Sequence, residues 1–253
     1  MINRTSPPLQ PELQPAVRLE NVSFQWPRNT LPVLDIESFN IQRGERVFLK
    51  GPSGSGKTTL LSLIAAVLTP DSGSIDVDGV SLNTIHGAQR DQFRVDRIGL
   101  VFQQFNLLPF LSVHENVQLP CRFSKHRRAK AKEQGQSLKE ETNRLLRAMQ
   151  LPLSQIQDRA VTDLSVGQQQ RVAVARALIG RPSLIIADEP TSALDSDTRQ
   201  AFLNLLFNEL EAAGSTLLFV SHDASLARAF DKNIDLTDIN KAVTEDQLLE
   251  LAQ

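Results

Sequence analysis

The sequence has no tyrosine, a single tryptophan (Trp26), a single cysteine (Cys121) and no long apolar run. Each shortage removes a class of protein. One thiol cannot close an internal disulfide, so a bridged framework is excluded; with no hydrophobic secretory segment at the N-terminus, a reducing cytosol is the expected compartment. The longest apolar stretch, Leu60 to Leu68 with one serine, is about half of the roughly 20 residues a spanning helix needs, so the chain is not expected to cross a membrane by itself. A net charge of −2 over 253 residues sets up no field for a polyanion, and no nucleic-acid partner is expected. With 41% apolar and 22% charged residues the chain is too apolar to stay disordered and long enough to bury a large core.

Four prolines in the first fifteen residues (Pro7, Pro8, Pro11, Pro15) prevent ladder bonding, so residues 1–15 are expected to form a mobile arm. Val17 to Trp26 alternates apolar and polar side chains, and a second strand-like run reaches Ile41, which suits an antiparallel pair. Arg46 to Lys50 is a short apolar strand that runs into Gly51, with a helical pattern from Lys57. Ser74 to Val80 reads as a strand with an Asp78-Gly79 hairpin turn. Ser183 to Ala187 and Thr216 to Val220 are unbroken apolar runs, as in strands buried on both faces of a parallel sheet. From about Phe105 to Asp163 the pattern is helical, and the basic run Lys125 to Lys132 reads as a solvated helix face. His86, His114 and His126 lack partner spacing and read as surface residues.

The chemistry is carried first by Gly51-Pro52-Ser53-Gly54-Ser55-Gly56-Lys57-Thr58, followed by Thr59, which matches G-x-x-x-x-G-K-[ST] between a strand and a helix. Its glycines let backbone N–H groups wrap a phosphate, and the helix N-terminus favours the negative charge. Lys57 can neutralise phosphate oxygens, and Thr58 can offer a hydroxyl to Mg2+. Average residue usage gives the pattern by chance in roughly one chain of this length in a hundred. The run Leu184-Ile185-Ile186-Ala187-Asp188-Glu189 then delivers two acids at the carboxyl end of a buried strand, where ligands sit on such sheets. Asp188 is placed for the magnesium shell and Glu189 for a water in line with a γ-phosphate.

Leu164-Ser165-Val166-Gly167-Gln168-Gln169-Gln170-Arg171 resembles the signature motif of the ATP-binding-cassette (ABC) ATPases. Gln103, Asp195 in Ser192-Ala193-Leu194-Asp195, and His222 match that family's Q-loop, D-loop and switch histidine, in family order from about Val17 to Leu236. The resemblance implies an α/β P-loop NTPase fold: a mostly parallel sheet flanked by helices, an N-terminal antiparallel β subdomain and an inserted helical subdomain. Residues 16–253 then form one ATPase domain, with 16–103 and 180–240 as the α/β core and β subdomain, 104–179 as the helical subdomain and 241–253 as a C-terminal helix. It also implies two copies packed head to tail, each ATP lying between the P-loop of one and Ser165 to Gln168 of the other. Glu189 would be the general base or water orienter, His222 would hold the γ-phosphate, and Thr58, Gln103 and Asp188 would meet Mg2+.

Two departures from the family pattern stand out. Val166 replaces the usual glycine, so that position must have negative φ. Trp26 stands where the family usually places a tyrosine that stacks on adenine, and offers a larger π face. The run Ile98 to Pro109, with Glu115-Asn116-Val117, resembles the lipoprotein-release and macrolide-export branch. That branch implies a separate membrane permease docked near the Q-loop, with Phe105, Leu107, Phe110 and Leu111 lining the receiving groove, and a site at the cytoplasmic face of the membrane. A non-transport membrane complex, such as a cell-division regulator, is the alternative setting for the same ATPase. A small-molecule kinase and a binding module without turnover are more distant readings.

Overall fold

The computed structural model describes residues 14–27, 31–134, 137–156, 159–192, 194 and 196–242. Asp195, the proposed C-terminal helix beyond residue 242 and nearly all of the N-terminal arm lie outside the described residues.

Alternation builds the first strand. In β1 (Val17–Phe24) Val17, Leu19, Val22 and Phe24 are buried while Arg18, Glu20 and Asn21 face out. The extra residue between Leu19 and Val22 is absorbed where the register against its neighbour shifts between Glu20 and Ser23, with Asn21 at φ 49. β2 (Leu34–Ile41) pairs antiparallel with β1; β3 (Arg46–Lys50) leaves for a second sheet; β4 (Ser72–Val77) takes the other edge of β1. Asp78 and Gly79, at φ 52 and 78, then turn the chain into β5 (Val80–Ser81), the hairpin expected from that dipeptide.

The second sheet is wholly parallel. β6 (Ile98–Val101), β7 (Leu184–Asp188), β8 (Thr216–Val220) and β9 (Lys232–Asp235) join β3 in the order β6-β7-β8-β3-β9. The unbroken apolar runs follow from burial on both faces. Val47, Leu49, Leu184, Ile186, Leu218 and Val220 point into a core shared with the antiparallel sheet. Phe48, Ile185, Ala187, Leu217 and Phe219 point into a second core shared with the helices.

The helices among the described residues are α1 (Lys57–Ile64), α2 (Ala88–Arg97), α3 (Val113–Phe123), α4 (Lys125–Gln134), α5 (Leu138–Ala148), α6 (Leu153–Ile156), α7 (Val166–Leu178), α8 (Ser196–Ala213) and α9 (Leu236–Ile239); α3 to α8 contribute to the second core, whereas α1, α2 and α9 pack into the first. The solvated reading of the basic run fails at one residue of α4. Lys125, His126, Arg128 and Lys132 are exposed, but Arg127 is 2% exposed. Its guanidinium donates to the carbonyls of Ile179 (2.7 Å), Ala177 and Ile98 (3.4 Å). Carbonyls at a helix C-terminus have no intrahelical partner and favour a cation, so Arg127 caps α7 from a neighbouring helix. Burial pulls its pKa down to about 10. Gly180, at φ 71, is required there, since a Cβ would lie 2.5 Å from the Arg127 carbonyl oxygen. His114 is another correction to the surface reading: it is half-buried, with Nε2 2.7 Å from Asn143 Oδ1.

Candidate functional site

Strand order decides which loops meet. The carboxyl ends of β6, β7, β8 and β3 lie side by side, and they carry Gln103, then Asp188 and Glu189, then His222, then the phosphate loop. They enclose a pocket of about 420 Å³, lined by Trp26, Val33, Ser53, Gly54, Gly56, Lys57, Thr58, Thr59, Gln103, Asp188, Glu189 and His222. Gly51, Pro52 and Ser55 shape the loop without lining that space.

The loop depends on glycine at particular points. Gly54 sits at φ 80 and Gly56 at φ 96, and a Cβ on Gly56 would lie 2.8 Å from Leu34 Cδ2 and 3.2 Å from the Val33 carbonyl oxygen. Gly56 caps α1 without a side-chain hydrogen bond, and the first turn holds no acid. The first-turn N–H groups and the positive end of the helix dipole are therefore open to an anion. Lys57 Nζ bends back to donate to the Gly51 and Pro52 carbonyls, each at 2.7 Å. Burial lowers its pKa, opposed by the charges of Glu189, Asp188 and Asp235.

Asp188 ends β7 half-buried, and burial pushes its carboxyl above the usual range against the pull of Lys57 and His222. Glu189 follows in the left-handed region at φ 47 and donates its N–H to the Val220 carbonyl (2.9 Å). A non-glycine residue held there stores strain of about 1–3 kcal/mol, a cost found at functional sites. Ser221 Oγ donates to Glu189 Oε2 (3.2 Å). Oε1 is buried with no hydrogen bond, only His222 Nε2 at 3.4 Å. That oxygen is the part of the carboxylate left without a donor among the described residues, in a residue that lines the pocket. Trp26 is 41% exposed and meets Phe24 edge to face, with centroids 5.1 Å apart, so it is a pocket wall and not a core residue.

Oxygen donors on Thr58, Gln103 and Asp188 share this pocket. Among the described residues no group of three His, Cys, Asp or Glu could hold a metal ion. Few protein ligands of hard oxygen type fit Mg2+, which keeps waters and shares phosphate oxygens.

The signature residues lie elsewhere. Ser165 is the N-cap of α7, accepting from the Gln168 N–H (3.3 Å) while Gln168 Oε1 accepts from the Ser165 N–H (3.0 Å). The helix therefore starts at Val166, two residues before Gln168, and its first residue has the negative φ that valine requires. Val166 is 53% exposed, and Ser165, Val166, Gly167 and Gln168 do not line the pocket. Gln170, in the same helix, is buried and donates to the Pro190 carbonyl, which ties α7 to the residue after Glu189.

Three supporting residues carry no sequence signal. Val33 lines the pocket from the start of the second strand's approach, and Ser221 holds Glu189. Asn240 Nδ2 donates to the carbonyls of Val33 (3.0 Å) and Ser55 (3.3 Å), some two hundred residues away in the chain. A second, more apolar groove of about 280 Å³ opens beside the Q-loop. Phe102, Leu119 and Phe123 line it, whereas the expected Phe105, Leu107, Phe110 and Leu111 do not. Leu107 packs on the core and Phe110 is 79% exposed.

A family model described as ABC transporter matches residues 34–192. An uncharacterized ABC transporter ATP-binding protein of Methanocaldococcus jannaschii is 39% identical, over 88% of this chain and 93% of that protein. The ATP-binding protein of a lipoprotein-releasing system from Syntrophotalea carbinolica is 38% identical, over 85% and 91%. A dimeric, post-hydrolysis structure of the archaeal cassette bound to ADP and Pi superposes with a TM-score of 0.75 at 36% identity, covering 90% of this chain and 98% of that one. Agreement of this extent in sequence and in fold means that the chain belongs to the ABC transporter family, among its ATP-binding cassettes.

Proposed function

We propose that two copies of this chain close head to tail around two ATP molecules, hydrolyse them, and use that cycle to drive a separate membrane permease. The observation that carries the proposal is the division of labour within one chain. The phosphate loop, both acids and His222 share one pocket, while Ser165 to Gln168 cap a helix outside it. A second copy can bring Ser165, Gly167 and the amino end of its α7 over the open side of the nucleotide. The dimeric form of the archaeal cassette supports this arrangement.

Within the pocket Lys57 is placed to exchange its two carbonyl partners for phosphate oxygens. Glu189, fixed by Ser221 and left with one free oxygen, accepts a proton from the attacking water or orients it. His222 stands beside that oxygen, and Trp26 provides the stacking face for adenine. Thr58, Gln103 and Asp188 would hold Mg2+, which when bound offsets charge on the phosphates. Asp195 belongs to the dimer face in this reading. The groove beside the Q-loop is the docking place for a permease helix, at the cytoplasmic face of the membrane; the lipoprotein-releasing relatives support such a partner. The helical subdomain, residues 104–179, carries both the groove's α3 wall and the signature, so it is the part that moves against the α/β core.

Glu189→Gln keeps shape and hydrogen bonding while removing the charge, so hydrolysis should fall by ~100-fold or more. ATP should still bind and, with repulsion relieved, should drive dimer formation visible by light scattering. Lys57→Ala should stay monomeric with ATP. Wild-type phosphate release from Glu189→Gln would sink the assignment of the base.

A further inference from the structure

We propose that Arg176 is a positioning residue for hydrolysis: it holds the loop from Phe102 to Asn106 in the conformation that puts Gln103 into the nucleotide pocket. This rests on the reading of the chain as an ATPase. Arg176 lies near the carboxyl end of α7, the helix whose amino end carries Ser165, and it is 8% exposed. Among the described residues its guanidinium has no carboxylate partner. It donates to two consecutive carbonyls, Phe105 (2.5 Å) and Asn106 (2.6 Å). Burial alone holds its pKa below the ordinary value.

The two acceptors are themselves unusual. Phe105 and Asn106 occupy the left-handed region at φ 58 and 48, a conformation that is costly for an aromatic residue. Successive residues in one helical well present their carbonyls in nearly the same direction, which is what a planar guanidinium fork can accept. Among the described residues the rest of the turn is held from within, by Phe105 N–H to the Phe102 carbonyl (2.9 Å) and Asn106 N–H to the Gln104 carbonyl (2.6 Å). Such a strained turn persists only when something outside it determines it, and Arg176 supplies that contact. Beyond the turn, Asn116 fixes the chain separately by accepting from the Leu108 N–H (2.8 Å) and donating to the Leu108 and Leu111 carbonyls.

The turn has two faces. Gln103 faces the nucleotide pocket, and Phe102 and Asn106 face the apolar groove, whose lining also includes Arg176. A lysine would keep the charge but present a single point donor, so it should not hold both carbonyls. Arg127 offers the internal contrast: it too is buried and bound to carbonyls, but its acceptors at Ile98, Ala177 and Ile179 do not line the pocket.

The test uses the full chain with Arg176→Lys, Arg176→Met, Gln103→Ala and the double variant Gln103→Ala/Arg176→Lys. Hydrolysis is measured as a function of ATP and of Mg2+, ATP affinity by equilibrium dialysis, and folding by thermal unfolding. Arg176→Lys should lower kcat about tenfold and raise the Mg2+ half-saturation several-fold, with ATP affinity within about twofold of wild type. In the Gln103→Ala background it should add little, because both changes act through one amide. Additive losses, or wild-type Mg2+ dependence in Arg176→Lys, would overturn the inference, as would a lower melting temperature with unchanged kcat per folded molecule. If Arg176→Met fails to fold, the lysine variant and the double variant still decide. Absence of hydrolysis in wild type would instead refute the ATPase reading on which the inference rests.

Discussion

The nucleotide pocket and the helical insertion solve the same problem, burying polar groups, in opposite ways. In the pocket the polar groups are left available: Lys57 rests on backbone carbonyls, Glu189 Oε1 has no hydrogen bond, and the first turn of α1 has no side-chain cap. In the insertion most are satisfied internally, Gln170 Oε1 being the exception among the described residues: Arg127 saturates the end of α7, Asn116 ties down the loop before α3, and Ser112 and Glu115 form a capping box. A site must hold unsatisfied groups in reserve for its ligand, whereas a scaffold keeps them few because each one costs stability. The difference tells which substitutions should damage chemistry and which should damage folding.

Ser165→Arg should sharpen that contrast most. Ser165 lies outside its own pocket, so the isolated subunit should bind ATP with affinity within about twofold of wild type, while bulk and charge at the closing face cut turnover by ~100-fold or more, a loss on the scale of one transition-state contact. ATP titration and phosphate release on the same sample check it. Loss of affinity in the monomer would show that the signature acts within one chain.

Arg127→Met is the matching experiment on the scaffold. It removes a costly buried charge but leaves the Ile179 and Ala177 carbonyls without a donor, and several orphaned acceptors outweigh one desolvation term. Stability should fall by about 2–4 kcal/mol in urea unfolding, with ATP affinity of the folded protein unchanged. Equal losses of affinity and stability would erase the distinction between the two regions.

The pocket was legible because its chemistry is local. Glycines needed at positive φ, a lysine at a helix start and acids at a strand end are each fixed by residue type within a few positions, and Gly54, Gly56, Lys57, Asp188 and Glu189 fall together as expected. The antiparallel sheet and the three central parallel strands β7, β8 and β3 were legible for a similar reason, since burial on one face or two writes itself as alternation or as an unbroken run; the edge strands β6 and β9, short and in β9 only partly buried, were not. The insertion was not. Arg127 sits in a run of cations, and only the approach of α7, some fifty residues later, turns it inward. Arg176 and Asn240 are hidden in the same way, their acceptors lying about 70 and 200 residues off. Which side the loop side chains take was likewise not legible: Leu107 packs on the core and Phe110 faces solvent, a choice that loop sequence does not encode.

Trp26→Ala tests the base end of the pocket. The ring is exposed at the pocket wall with one edge-on neighbour, Phe24, so its removal should leave the core intact. ATP affinity should weaken by about 1–3 kcal/mol, the scale of stacking a base on an aromatic side chain. Affinity for inorganic tripolyphosphate, which has no base, should not change; an equal loss for both ligands would move Trp26 from stacking to general support.

The smallest effect should come from Val166→Gly, because the position has already been reconciled with valine by the helix. Val166 is the first residue of α7, with negative φ and a half-exposed side chain, and the Ser165–Gln168 capping box closes around it without using its side chain. Glycine brings backbone freedom that this conformation does not need, and it costs only a few tenths of a kcal/mol relative to valine in a helix. For a chain of this size that corresponds to a melting shift of about 1–2 °C. Turnover should stay within about twofold of wild type, since the hydroxyl of Ser165, the uncrowded backbone of Gly167 and the amino end of the helix are all retained. A tenfold change in turnover in either direction, with ATP affinity of the monomer unmoved, would mean that the valine side chain itself touches the closing partner. The signature would then be part of a side-chain interface as well as a backbone cradle.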